Sequence, residues 1–291
     1  MRADWETLPP AVRASVESHT GPVLKAEPVS TGTANQFTAV LHPADGPAVF
    51  CKGVHGGTGP HLRMLRAEAA IGPHLAGLAP AVRWQATTTD WAILGFEHVP
   101  GCGADLAPGS PDLPLIADLL DRMRRRLTPC PPAPTLPLAE RWARFPAWQQ
   151  LASDGLDPWA AAHLDQLAAW EQRAPEAVDG GTLAHCDLAW NNILIGPRGV
   201  RVVDWALAGR AAPWVDTAFM VLRLIQYGHT PREAEAWAQQ VTDWHSSDDA
   251  VTAFAAAVAG IRVHRAQAPE APAHMPQLAA AALSWVRYRL E

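Results

Sequence analysis

The spacing of apolar positions changes twice along the chain. Residues 4 to about 19 predict an amphipathic helix, with Pro9 and Pro10 near its start and Gly21 past its end. From Val23 the runs shorten and become β-like: Leu24–Val29, Gln36–Leu41 and Ala48–Gly53. A helix is predicted from His61 to about Gly77. Two more strands, Ala81–Thr87 and Trp91–Val99, meet at Thr88-Thr89-Asp90. Helical patterns then take over at Asp112–Leu127, Leu138–Leu151 and Pro158–Ala174, with the stiff connector Pro129-Cys130-Pro131-Pro132-Ala133-Pro134 after the first. Another helix opens near Trp214 and runs to about Gln226. The Ala-rich last third predicts helices over Pro231–His245, Asp248–His264 and Met275–Glu291. Trp237, Trp244 and Trp285 recur there at helical spacing, which marks core or interface anchors more often than ligand platforms.

One β-rich stretch interrupts the helices. Ile193-Leu194-Ile195, the turn Gly196-Pro197-Arg198-Gly199, and Val200-Arg201-Val202-Val203 read as a hairpin that ends at Asp204. Its first strand follows Asn192 and its second ends at Asp204, which brings those two residues to the same end. Asp187 is one loop away, so an amide oxygen and two carboxylates are expected to converge. Hard oxygen ligands of this kind suit Mg²⁺ completed by substrate phosphates.

Lys52 lies in the apolar run Ala48–Gly53, where an unpaired ammonium would carry a large desolvation cost. It needs a carboxylate, a phosphate or both, unless it is an edge residue reaching water. The following helix supplies Glu68. Of the 23 basic residues only Lys25 and Lys52 are lysines, which favours the ligand reading. Ser30, Thr31, Gly32, Thr33 and Asn35 between the first two strands offer hydroxyls, an amide and backbone N–H groups to phosphates, and equally suit an ordinary turn.

The composition narrows the partners. The chain has 291 residues, 48% of them hydrophobic and 18% charged, as in an ordered globular protein of one large domain or two lobes. A net charge of −6 argues against a nucleic-acid partner and permits a cationic substrate. Cys51, Cys102, Cys130 and Cys186 are scattered without metal spacing and read as buried or partly buried free thiols in a reducing cytoplasm. The start shows no apolar signal core, and no run is long enough to span a membrane.

The stretch His185-Cys186-Asp187-Leu188-Ala189-Trp190-Asn191-Asn192 matches the kinase pattern H-x-D-L-x-x-x-N, and Asp204-Trp205-Ala206 stands where protein kinases carry D-F-G. Together with Asn192-Ile193-Leu194 and Val202-Val203-Asp204-Trp205, this resembles the aminoglycoside phosphotransferase family, antibiotic and small-molecule kinases with the protein-kinase fold. The resemblance covers residues from about 23 to 225 by motif order. It implies an α+β, bilobal, protein-kinase-like fold: residues 1–98 as a small antiparallel-sheet nucleotide lobe, residues 99–291 as a helical catalytic lobe. It also implies roles. Asp187 would take or orient the acceptor's hydroxyl proton, and Asn192 and Asp204 would hold Mg²⁺. Lys52, kept by Glu68, would bind α/β-phosphate oxygens under the loop of Ser30, Thr31 and Gly32, where the family's glycine pattern is reduced to Gly32. Backbone groups of Glu97 and Val99 would meet the purine, with Phe96 as gatekeeper and Pro100-Gly101 at the lobe boundary. A plain buried strand ending in a turn shares that geometry. His185 would buttress the catalytic loop. Asp216 would bond to that loop, or act as a simple helix N-terminal carboxylate, or both.

The function implied is that of a nucleotide-dependent O-phosphotransferase, a monomer or homodimer, using ATP or GTP and a small-molecule hydroxyl. The bulk of Phe96 leads us to expect GTP to serve at least as well as ATP. Only eleven residues separate Asp204 from Asp216, too few for a protein kinase's activation segment. An antibiotic acceptor, aminoglycoside or similar, fits resistance or self-protection. The alternatives are a metabolic kinase for choline, ethanolamine, homoserine or a sugar, and a catalytically silent nucleotide-binding regulator. Glu233, Glu235, Asp243, Asp248 and Asp249 are the acidic candidates for the acceptor wall.

Overall fold

The structure is a computed structural model that describes residues 3–29, 35–132, 134–151, 155–242, 244 and 247–291. In chain order its elements are α1 (Pro10–Thr20), β1 (Val23–Pro28), β2 (Phe37–Pro43), β3 (Val49–His55), α2 (Pro60–Ile71), β4 (Val82–Thr87), β5 (Trp91–Glu97), β6 (Cys102–Gly103), α3 (Asp112–Leu127), α4 (Leu138–Ala143), α5 (Ala147–Gln150), α6 (Pro158–Ala162), α7 (Leu164–Ala177), β7 (Thr182–Ala184), β8 (Ile193–Gly196), β9 (Gly199–Val202), β10 (Gly209–Ala211), α8 (Val215–Gln226), α9 (Pro231–Ala238), α10 (Asp248–Ala266) and α11 (Met275–Leu290).

Prolines explain two of the departures from the expected helices. Pro10 takes the first position of α1, and Trp5–Thr7 form a separate 3₁₀ turn before it. The helix expected over Leu138–Leu151 is two pieces, because Pro146 lacks an N–H and keeps Phe145 out of helical backbone. The helix expected over Pro158–Ala174 breaks at His163, whose φ is −115°, and its second half runs on to Ala177 with Pro175 inside. The helix begun at Pro231 stops at Ala238. Among the cysteines, Cys102 is exposed on β6 rather than buried, Cys130 is half-buried, and Cys51 and Cys186 are buried. No described helix is long and apolar enough to cross a membrane.

The chain forms two compact units that interleave along the sequence instead of dividing after residue 98. The first is Met1–Gly103 with Asn191–Leu207. The hairpin β8–β9 belongs to it because β6 pairs with β8, Cys102 opposite Ile195. Its main sheet is antiparallel in the order β1-β2-β3-β5-β4. Alternation along β3 sorts the faces. Val49 and Cys51 pack with Trp5, Leu8, Val12 and Val16 beneath α1, whereas Phe50 and Val54 join Leu62, Leu65 and Ala69 of α2. Lys52 lies between Phe50 and Val54 and shares the α2 face. Gly95 is required on β5, since a Cβ there would meet the ring of Trp84 at 2.2 Å.

The second unit is Ala104–Trp190 with Ala208–Glu291. The short antiparallel pair β7–β10 sets Ala184 opposite Gly209, just before His185, Cys186 and Asp187. Helix α10 packs against α7 and α11. Phe254 at its centre stacks among Phe219, Trp142, Trp214 and Trp285, with ring centroids 5.0, 5.2, 5.6 and 5.9 Å away. The small residues Ala174, Ala253 and Ala257 let α7 and α10 approach closely.

Candidate active site

In the first unit the chemistry gathers around Lys52. Its Nζ donates to Glu68 Oε1 and Oε2 at 2.9 and 3.0 Å, and to Asp204 Oδ1 at 2.6 Å. Lys52 is 6% exposed and Glu68 4%. Glu68 Oε1 also accepts the backbone N–H of Trp205 at 3.1 Å, which ties α2 to the segment after the hairpin. Burial would push the Lys52 ammonium's pKa down, but the pull of Glu68 and Asp204 raises it. Burial pushes Glu68 up; Lys52 draws it back, and the second carboxylate adds to the rise. Two carboxylates thus share one buried ammonium, and the trio has a surplus of negative charge when ionised.

Asp204 has φ 66°, in the left-handed region that Asp tolerates better than most residues. Among the described non-glycine residues only Cys186 shares such a conformation, at φ 63°. One of these directly precedes Asp187 and the other is Asp204 itself, which fits backbone strain held at functional positions. Asn192 and Asp204 come to the same end of the hairpin, where Val203 N–H donates to Asn192 O at 2.9 Å. A carboxylate and an amide oxygen are hard donors of the kind Mg²⁺ takes. Among the described residues no group of three or more His, Cys, Asp or Glu could hold a metal alone. A metal here would therefore complete its shell with phosphate oxygens and water, and the residues present fit that arrangement.

The trio borders a cavity of about 290 Å³ in the same unit. Val29, Val40, Phe50, Ala79, Val82, Leu194 and Val203 make its apolar walls, and Phe96, Glu97, His98, Val99 and Gly101 line another part. Such a slot suits a flat aromatic base. Glu97 N–H donates to Ala81 O at 2.8 Å, so that N–H is already engaged. The Glu97 side chain pairs with Arg198 of the hairpin turn at 2.8 Å. Phe96 is buried, its ring centroid 5.7 Å from Lys52 Nζ. Ser30, Thr31 and Gly32 lie outside the described residues.

The second unit holds the loop of His185, Cys186 and Asp187. Asp216, near the start of α8, accepts the backbone N–H groups of His185 and Cys186 at 2.8 and 2.9 Å. This clamp sets the turn at Cys186. Burial raises the Asp216 pKa, opposed by His185 and those two N–H bonds. His185 is fully buried, and its Nδ1 accepts the N–H of Asp187 at 3.2 Å. Burial pushes the Cys186 thiol up to about 12, which leaves it unreactive beside Asp187. The Asp187 side chain is 32% exposed. Arg223 Nη2 reaches its Oδ1 at 3.3 Å, and Arg262 Nη2 stands 3.9 Å away. Sequence reasoning missed both arginines. The signal was the one that picked out Lys52: a charged residue in an apolar stretch, here α8 and the Ala-rich α10.

The sequence profile of the phosphotransferase enzyme family matches residues 25–254. The chain belongs to this family. Its fold is the mixed α+β, protein-kinase-like fold of aminoglycoside phosphotransferases and choline kinase, and it is a small-molecule phosphotransferase. An aminoglycoside phosphotransferase from Alicyclobacillus acidocaldarius is 15% identical with a TM-score of 0.63, over 100% of this chain and 97% of that one. The choline kinase LicA from Streptococcus pneumoniae is 13% identical with a TM-score of 0.66, over 96% and 98%. An aminoglycoside phosphotransferase from Streptomyces rimosus is 21% identical with a TM-score of 0.59, over 92% and 97%. At these identities the likeness is one of fold. No curated protein matches the sequence.

Proposed function

We propose that this phosphotransferase moves the γ-phosphoryl group of ATP or GTP to a hydroxyl of a small molecule. The observation that carries the reading is the Lys52–Glu68–Asp204 trio in the wall of a mostly apolar cavity. The apolar slot receives the purine, whose edge meets the backbone of Glu97 and Val99. The Lys52 ammonium takes α/β-phosphate oxygens. Asn192 and Asp204 hold Mg²⁺, which when bound neutralises charge on the phosphates. Asp187 accepts or orients the acceptor's hydroxyl proton. His185 and Asp216 keep its loop in shape.

Solved structures of similar fold include an aminoglycoside phosphotransferase with ADP and streptomycin and an amicoumacin kinase with AMP-PNP, which supports ATP as co-substrate and keeps an antibiotic acceptor, with resistance or self-protection, in the reading. The choline kinase of similar fold keeps a metabolic acceptor beside it. A cytoplasmic location, where the four free cysteines stay reduced, belongs to the same proposal. Release of ADP or GDP, measured with Mg²⁺ over a panel of antibiotics, choline, homoserine and sugars, tests it. Acceptor-dependent release from at least one member is expected, with GTP at least comparable to ATP and the ratio moved by Phe96→Ala. Nucleotide binding without turnover of any acceptor would favour a silent regulator instead.

A further inference from the structure

The charge around Asp187 is unlike the charge around Lys52. Arg223 on α8 and Arg262 on α10 are 7% and 6% exposed, and both guanidiniums face the same Asp187 Oδ1. Arg223 is largely satisfied: Nε donates to Leu188 O at 3.1 Å and Nη1 to Gln226 Oε1 at 3.0 Å. Arg262 is not, since its buried Nε has no hydrogen-bond partner among the described residues. A buried donor left unmade is costly, so the one carboxylate that both arginines face leaves Arg262 under-compensated. Burial, and then repulsion from Arg223, bring the Arg262 pKa down to about 10. It stays protonated near neutrality, so two cations face one carboxylate.

Four of the five acidic candidates for the acceptor wall have partners elsewhere. Glu233 closes the capping box of Thr230, and Glu235 accepts from Trp285 Nε1 and Arg289. Asp248 pairs with Arg289 and Asp249 with Arg173. Asp243 lies outside the described residues.

We propose that the acceptor carries an anionic group, a carboxylate or a phosphate monoester, received by Arg262 and Arg223 beside Asp187; the inference rests on the phosphotransferase reading. The guanidinium fork matches either anion and pairs with it more strongly than neutral groups do. An anion here offsets the repulsion between the two arginines. A polycationic acceptor would add like charge to a surplus that is already positive, which selects against it.

Isothermal titration of the full chain, saturated with Mg²⁺ and ADP, tests this with four probes: glycerate, glycerol 3-phosphate, glycerol and streptomycin. One or both anions are expected to bind, and the stronger of the two identifies the group. Glycerol is expected not to bind. Arg262→Gln is expected to weaken the anion at least tenfold while ADP affinity stays unchanged. Arg262→Lys keeps the charge without the fork, loses several-fold, and replaces Arg262→Gln if that variant does not fold. The proposal is overturned if neither anion binds, if streptomycin binds more tightly than both, or if the Arg262 variants bind the anion as wild type does. A wild type that takes up no ADP contradicts the phosphotransferase reading instead, and the anion titrations are then read without nucleotide.

Discussion

The two units bury charge in opposite proportion. In the first, one ammonium, Lys52, is shared by two carboxylates, Glu68 and Asp204. In the second, one carboxylate, Asp187, is shared by two guanidiniums, Arg223 and Arg262. A fold selected for stability alone has no need of either surplus, because a buried ion pair seldom outperforms apolar packing. Each surplus fits a missing partner of the opposite sign. The excess of carboxylate suits a divalent cation brought with a nucleotide, and the excess of guanidinium suits an anionic acceptor.

The largest effect is expected at the carboxylate itself. Asp187→Asn should lower kcat by about 10²–10⁴, since that is what a positioned base typically contributes. Nucleotide affinity, which depends on the other unit, should hardly change. A variant that keeps more than about a tenth of wild-type kcat contradicts the role.

Stability should separate the two surpluses next. Lys52→Met strands two carboxylates and should cost about 3–5 kcal/mol in denaturant unfolding. Arg262→Met leaves Asp187 paired with Arg223 and relieves repulsion, so its change should stay within about 1 kcal/mol. Equal losses at both positions would show that the two sites are not opposites.

Much of this was legible in the sequence. Lys52 and Glu68 were drawn together by the cost of burying an ammonium, and they stand 2.9 Å apart. The hairpin was marked by Gly196-Pro197-Arg198-Gly199, and Gly196 pairs with Gly199 across that turn. Arg262 was hidden because a long Ala-rich helix gives a weak amphipathic signal, and an arginine close to His264 and Arg265 at the helix end reads as part of a solvated basic cluster. The β7–β10 pair was hidden because three-residue strands carry no period to detect. The hairpin's membership of the first unit depends on β6, two residues long, which no local pattern announces.

A smaller effect tests the helical scaffold, where a third buried acid is held by backbone donors. Glu171 of α7 accepts the N–H groups of Ala147 and Trp148 at 2.9 and 3.1 Å, and burial raises its pKa from 4.5 to about 7 against those bonds. Between these values the folded chain holds a proton that the unfolded chain has released. Stability from this group is therefore full below about pH 4.5 and is lost as pH rises toward 7, by an amount on the order of 2 kcal/mol. Urea unfolding of Glu171→Gln across that range should show a flatter profile than wild type. Parallel profiles would mean that the carboxylate titrates alike in both states.

The carboxylate surplus at Lys52 is central because it is where a metal would arrive with the nucleotide. Asp204→Asn is the informative change, because Asn tolerates the backbone φ of 66° and removes only the charge. Calorimetric titration of this variant and wild type with ATP, with and without Mg²⁺, measures metal uptake there directly. Mg²⁺ should strengthen ATP binding in wild type, and that gain should fall at least tenfold in the variant. An equal metal-dependent gain in both proteins would contradict a metal role for this surplus.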